Sequence, residues 1–136
     1  MKARILLVDD DESVLAALTG LLESEGYEVA HAANGHEGLR LFHDQHVDLA
    51  LLDINMPVKN GWETLDQIVS INPLLPVIII TARPDAREKS RTLPLAAFMQ
   101  KPLDPPALLA NIERLLAEPS EARYQRAFRQ NPLTSA

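Results

Sequence analysis

Five short apolar runs, most followed by a longer stretch of helical periodicity, constrain this chain more than any other feature. Ile5-Leu6-Leu7-Val8 is the first run. Glu28 to Ala32, around Val29, is a weaker second. Leu49-Ala50-Leu51-Leu52 is the third, Val77-Ile78-Ile79-Ile80 the fourth and Ala97-Phe98-Met99 a shorter fifth. Unbroken runs of this length suit strands covered on both faces, as in a parallel sheet. Between them, Val14, Leu15, Leu18, Leu21 and Leu22 recur at helical spacing, and Gly26 stops that helix. Leu39, Phe42 and Val47 mark a second helix opening near Asn34, and Leu65, Ile68 and Val69 a third from about Gly61. Asp85 to Leu93 is a polar, weakly periodic fourth. Pro105, Leu108, Leu109, Ile112, Leu115 and Leu116 give a fifth, with Asp104 placed to cap it. Five strand–helix units predict right-handed crossovers and a doubly wound α/β fold. Its parallel sheet takes the order 2-1-3-4-5, with helices on both faces. Residues 1–118 form this unit, and 119–136 read as a tail or linker stub.

In such a sheet, ligands bind beyond the carboxyl ends of the strands, where the strand order reverses, here between strands 1 and 3. Asp9, Asp10 and Asp11 follow strand 1 directly, and Asp53 follows strand 3. Asp11 and Glu12 suit the start of the first helix. Asp9, Asp10 and Asp53 read instead as a site. Carboxylates a few ångströms apart repel, and a divalent cation removes that penalty. All-oxygen donors with no nearby His or Cys favour a hard ion, Mg²⁺ being the abundant one. Thr81 ends strand 4 and Lys101 follows strand 5, on the side of strand 3 where both can face Asp53. A cation, an ammonium and a hydroxyl around an attacking carboxylate suit phosphoryl transfer.

Composition narrows the alternatives. A length of 136 residues, 46% of them hydrophobic, supports one real core. Zero cysteines exclude a disulfide scaffold, a thiolate metal site and a cysteine nucleophile. No apolar run approaches the roughly 20 residues of a membrane helix, and the N-terminal stretch is too short for a signal peptide. A soluble, cytoplasmic chain is expected. The net charge is −6, with +2 on the last 18 residues and so −8 on the first 118. Nucleic-acid binding by this chain is disfavoured, because phosphate contacts need clustered basic residues.

These motifs together resemble the receiver domain of bacterial two-component response regulators. The resemblance rests on Leu7-Val8-Asp9-Asp10-Asp11, on Asp48 through Met56-Pro57 to Asn60-Gly61, on Ile80-Thr81-Ala82 and on Lys101-Pro102. It covers residues 3 to about 118 and implies a flavodoxin-like fold. It implies that Asp53 accepts a phosphoryl group from a histidine kinase or histidine phosphotransferase. It implies Mg²⁺ ligation by Asp10, Asp53 and the carbonyl of Asn55, with Asp9 acting through water. Thr81 and Lys101 would contact the phosphoryl group, and Lys101-Pro102 would be cis. Phe98 fits the aromatic switch position, and the surface of the fourth helix, fifth strand and fifth helix would report the change. Asn55 and Arg83 occupy positions that tune phosphate loss. Ser13 to Leu18 and the Pro102–Pro106 loop would dock the phosphodonor. The chain would be a phosphoacceptor that shares in catalysis of its own phosphorylation and dephosphorylation, not an enzyme turning over a metabolite. Asn55, standing where aspartyl-phosphate hydrolases place a second acid, agrees.

Several features depart from the family's usual pattern. Leu93-Pro94-Leu95-Ala96-Ala97 replaces a small-residue turn, Pro84 follows Arg83, and the acid pair that precedes the aromatic residue in winged-helix regulators is absent. His31, His36, His43 and His46 form no strong metal pattern and read as solvated. Trp62 reads as a packing residue. In the tail, Tyr124 and Phe128 with Arg123, Arg126 and Arg129 would suit a short amphipathic helix, but a linker stub or frayed end is the simpler expectation. No output domain is recognisable, so a free-standing receiver and a piece of a longer regulator are both open.

Overall fold

The computed structural model describes residues 2–54, 61–82 and 97–128. The elements are β1 (Arg4–Val8), α1 (Glu12–Ser24), β2 (Glu28–Ala32), α2 (Gly35–Asp44), β3 (Leu49–Asp53), α3 (Gly61–Ile71), β4 (Val77–Thr81), β5 (Ala97–Gln100), α4 (Pro105–Leu116) and α5 (Ser120–Phe128). The five strands form one parallel sheet in the order β2-β1-β3-β4-β5. The expected helix over Asp85 to Leu93, with Pro84 and Pro94, lies outside the described residues.

Strand periodicity explains the unbroken apolar runs. Leu6, Val8, Ala50, Leu52, Val77 and Ile79 face one side, under Leu65 and Ile68 of α3 and Leu39 and Phe42 of α2. Ile5, Leu7, Leu49, Leu51, Ile78 and Ile80 face the other, under Leu15, Leu18 and Leu22 of α1 and Leu108, Ile112 and Leu115 of α4. Both faces being dry, neither side of β1, β3 or β4 tolerates a polar residue until the strand ends. The first polar positions are therefore Asp9, Asp53 and Thr81, gathered on one edge of the sheet.

Helix ends follow local chemistry. Asp11 caps α1, its carboxylate accepting from the amides of Ser13 (2.9 Å) and Val14 (3.3 Å). Asn34 caps α2 through the amide of Glu37 at 2.9 Å. Gly26, at φ 91°, closes α1. Its amide reaches Glu23 O and that of Tyr27 reaches Leu22 O, a paired closure that needs a left-handed residue.

Three local expectations are corrected. Asp104 occupies the N-cap position of α4 but makes no side-chain cap hydrogen bond. Pro105 and Pro106 open the helix, so the second helical residue has no N–H to offer. Val47 is buried, yet it lies past the end of α2 in the loop to β3. Residues 120–128, where a linker stub was the simpler expectation, are helical.

Candidate functional site

The loop after β1 turns back across the top of the sheet. The amide of Asp9 donates to Ala32 O of β2 at 3.1 Å, which holds Asp9 over the strand ends. Its side chain is fully buried. One carboxylate oxygen accepts from the amide of Asp11 at 2.9 Å, and the other from Lys101 Nζ at 2.8 Å. Asp53, the last residue of β3, is 3% exposed, and its Oδ2 lies 3.5 Å from the same ammonium. Asp10 is exposed beside them. Carboxylate oxygens of Asp9, Asp10 and Asp53 all lie within 4.8 Å of one another.

Lys101 enters this cluster because β5 ends one residue earlier. Its amide donates to Thr81 O at 2.7 Å, which extends the β4–β5 ladder by one rung, and the Lys101-Pro102 peptide is cis. Burial alone would push the Lys101 ammonium down. The hydrogen bond to Asp9 and the charges of Asp53 and Asp9 together outweigh it, and its pKa is raised. Thr81 is fully buried at the end of β4. Phe98 pairs in register with Ile79 and packs, half-buried, on the α2–α3 side of the sheet.

Three carboxylates and one ammonium leave a formal charge of −2 in a largely buried corner. The donors are all oxygen. The set suits a hard divalent cation, whose charge would balance the excess. Sequence reasoning aimed Lys101 at Asp53, whereas its nearest partner is Asp9. The pairing spans 92 residues and no local pattern announces it.

One positioning residue was missed. The amide of Gly61, at the start of α3, donates to Ile54 O at 3.2 Å. A Cβ at Gly61 would run into the backbone of Ile54 and Asp53 and come within 2.9 Å of Ile54 Cγ2. Only glycine lets α3 begin against the end of β3. The Asn60-Gly61 pair carried the family resemblance, but nothing in the sequence said that the contact was with Asp53. Trp62 packs half-buried on the same side of the core. Asn55 and Arg83 lie outside the described residues.

An apolar groove of about 640 Å³ runs beside Lys101, between Val14, Leu18 and Leu21 of α1 and Pro102, Leu103 and Pro105 ahead of α4. His46 is exposed and pairs with Asp48 at 2.7 Å. Among the described residues, no helix is long and apolar enough to cross a membrane.

A family model described as "response regulator receiver domain" matches residues 5–113. The transcriptional regulatory protein GlrR of Escherichia coli (strain K12) is 38% identical over 127 residues, covering 91% of this chain and 28% of that protein. This match runs past residue 113 into α5. The transcriptional regulatory protein CpxR of the same strain is 40% identical over 115 residues, 83% of this chain and 49% of that protein. The chain thus spans half or less of the length of these two curated relatives. A CheY-like receiver domain protein from Methanospirillum hungatei JF-1 superposes with a TM-score of 0.81 at 32% identity, covering 92% of this chain and 98% of that one. The Thermotoga maritima response regulator TrrA, solved in complex with Mg(2+)-BeF, gives 0.78 at 32% identity, covering 85% and 99%.

Proposed function

The chain belongs to the response regulator receiver domain family, and from that premise we propose that Asp53 is its phosphoacceptor, loaded from a phosphohistidine donor. The observation that carries the reading is the burial of Asp53 at the end of the central strand, with Asp9 and Asp10 on one side and the Lys101 ammonium at 3.5 Å. In the transfer, an Asp53 carboxylate oxygen attacks phosphorus and forms the acyl–phosphate bond. The P–N bond breaks, its electron pair stays on the donor's imidazole, and that ring, already protonated on its other nitrogen, leaves neutral. Lys101 moves its positive charge from Asp9 and Asp53 towards the new phosphoryl oxygens, and the Thr81 hydroxyl donates to another. Asp10, Asp53 and the carbonyl of Asn55, with Asp9 acting through water, would hold Mg²⁺, which when bound would supply charge neutralisation for the same oxygens. Asn55 and Arg83 would tune loss of the phosphoryl group.

The donor is a histidine kinase or histidine phosphotransferase in the cytoplasm. The groove between α1 and the Pro102–Pro105 loop opens beside Lys101 and is apolar, which suits an amphipathic helix carrying the donor histidine. The receiver unit is residues 1–118. Its output runs through Thr81 and Phe98 to the surface of residues 85–93, β5 and α4, by way of the added charge of about −1.5 to −2. The chain shares in catalysis of its own phosphorylation and dephosphorylation and turns over no external metabolite.

Borohydride reduction of the acetyl-phosphate-treated protein, followed by peptide mapping, tests the assignment. Aspartyl phosphate becomes homoserine, and the reading requires that product at position 53. Homoserine at position 9 or 10 instead would overturn it.

A further inference from the structure

The C-terminal helix α5 is held in an unusual way. None of its nine residues is fully buried and none belongs to either core cluster, although Ala122, Ala127 and Phe128 are half-buried. Two arginines hold it. Arg123 Nη2 donates to Leu115 O at 2.9 Å and to Leu116 O at 3.3 Å, both in the last turn of α4, where Leu115 O also accepts from the amide of Glu118 at 3.3 Å. Arg126 grips Glu118 through both fork nitrogens, at 2.7 and 2.8 Å, and these two side chains are only 12% and 13% exposed. Arg123 Nε lies 3.8 Å from the same carboxylate. At the turn between the helices, the amides of Ala122 and Arg123 both return to Pro119 O. Arg123 also lines a small cleft with Lys2, His46 and Asp48, at the end of the sheet opposite Asp53.

A tether would carry none of these contacts. A charged clamp that caps one helix with the side chain of the next makes the two move as one body. α4 is itself seated on the sheet through Leu108, Ile112 and Leu115. On α5, the rings of Tyr124 and Phe128 lie 4.6 Å apart and tilted by 46°, with Tyr124 58% exposed and Phe128 half-buried.

We infer that Glu118, Arg123 and Arg126 form an electrostatic clamp that makes α5 a rigid arm on α4, fixing the Tyr124–Phe128 pair in one orientation to the receiver body. Any displacement of α4 is then carried to the aromatic pair as a rigid movement. The inference does not rest on the phosphoacceptor reading, since it concerns the opposite end of the molecule.

The chain has no cysteine, so a doubly spin-labelled protein can be made cleanly at the exposed positions Arg40→Cys on α2 and Gln125→Cys on α5. Pulsed dipolar spectroscopy should give one narrow distance distribution. The added pair Arg123→Gln and Arg126→Gln should abolish that narrow peak while leaving the urea midpoint of the body in place, because neither side chain belongs to the apolar core. A broad distribution in the parent protein contradicts the arm. So does a narrow one that survives both substitutions. Global unfolding of the double variant contradicts it as well, since the clamp would then support the body and not the arm.

Discussion

Lys101 Nζ lies 2.8 Å from Asp9 Oδ2 and 3.5 Å from Asp53 Oδ2, so one ammonium serves two buried carboxylates, one in the loop after β1 and one at the end of β3. Removing it leaves the fully buried Asp9 carboxylate held by the amide of Asp11 but without its neutralising charge. Stripping one partner from a buried pair costs about 3–5 kcal/mol. Lys101 is itself 21% exposed, so the loss for Lys101→Met should fall nearer about 2–3 kcal/mol. Urea denaturation measures it. Millimolar Mg²⁺ should restore part of the loss, because a bound cation replaces the missing charge.

Two glycines should respond in opposite directions. Gly61→Ala drives a methyl group into the backbone of Ile54 and Asp53 and should cost about 1–3 kcal/mol. It should also slow phosphorylation by acetyl phosphate, since what must shift is the strand end that carries the acceptor. Gly20, within α1, has nothing within 4 Å of an added Cβ. Gly20→Ala should therefore stabilise by about 0.5–1 kcal/mol through helix propensity alone. Thermal melts of the two variants against the parent separate the cases.

The clamp on α5 should fail in acid. The hydrogen bond from Arg126 holds Glu118 below its ordinary value of 4.5. Burial opposes this, and the charges of Arg126, Arg123 and Arg114 add to it. A carboxylate depressed in the folded state stabilises at all pH values above its unfolded pKa, and that stabilisation is lost as pH falls through the folded one. The narrow distance between spin labels on Arg40→Cys and Gln125→Cys should hold from neutral pH down to about 5.5 and broaden steadily below about 4.5. A distribution that sharpened on acidification would have the wrong sign for this pairing.

The sheet was legible because both of its faces are dry. Runs such as Leu49-Ala50-Leu51-Leu52 and Val77-Ile78-Ile79-Ile80 can hardly be anything else once helices alternate with them, and the strand order follows from that alternation. The acids at the strand ends were legible for the same reason, since Asp9 and Asp53 are the first polar residues after their strands. Where apolar periodicity does not decide, the sequence said less. Val47 keeps the spacing of a helix face but packs from a loop. Asp104 looks like a cap, but Pro106 removes the amide it would take. α5 is fixed by arginines on carbonyls and on Glu118, so its composition looked like that of a linker. Gly61 and the Lys101–Asp9 pair depend on contacts across the fold that no local pattern encodes.

The central claim is that Asp53 takes the phosphoryl group, and intact-mass spectrometry after incubation with acetyl phosphate and Mg²⁺ tests it most directly. The parent protein should gain a single phosphoryl adduct. Asp53→Asn should gain none, and the parent should gain none when Mg²⁺ is chelated. An adduct of equal yield on Asp53→Asn would contradict the account.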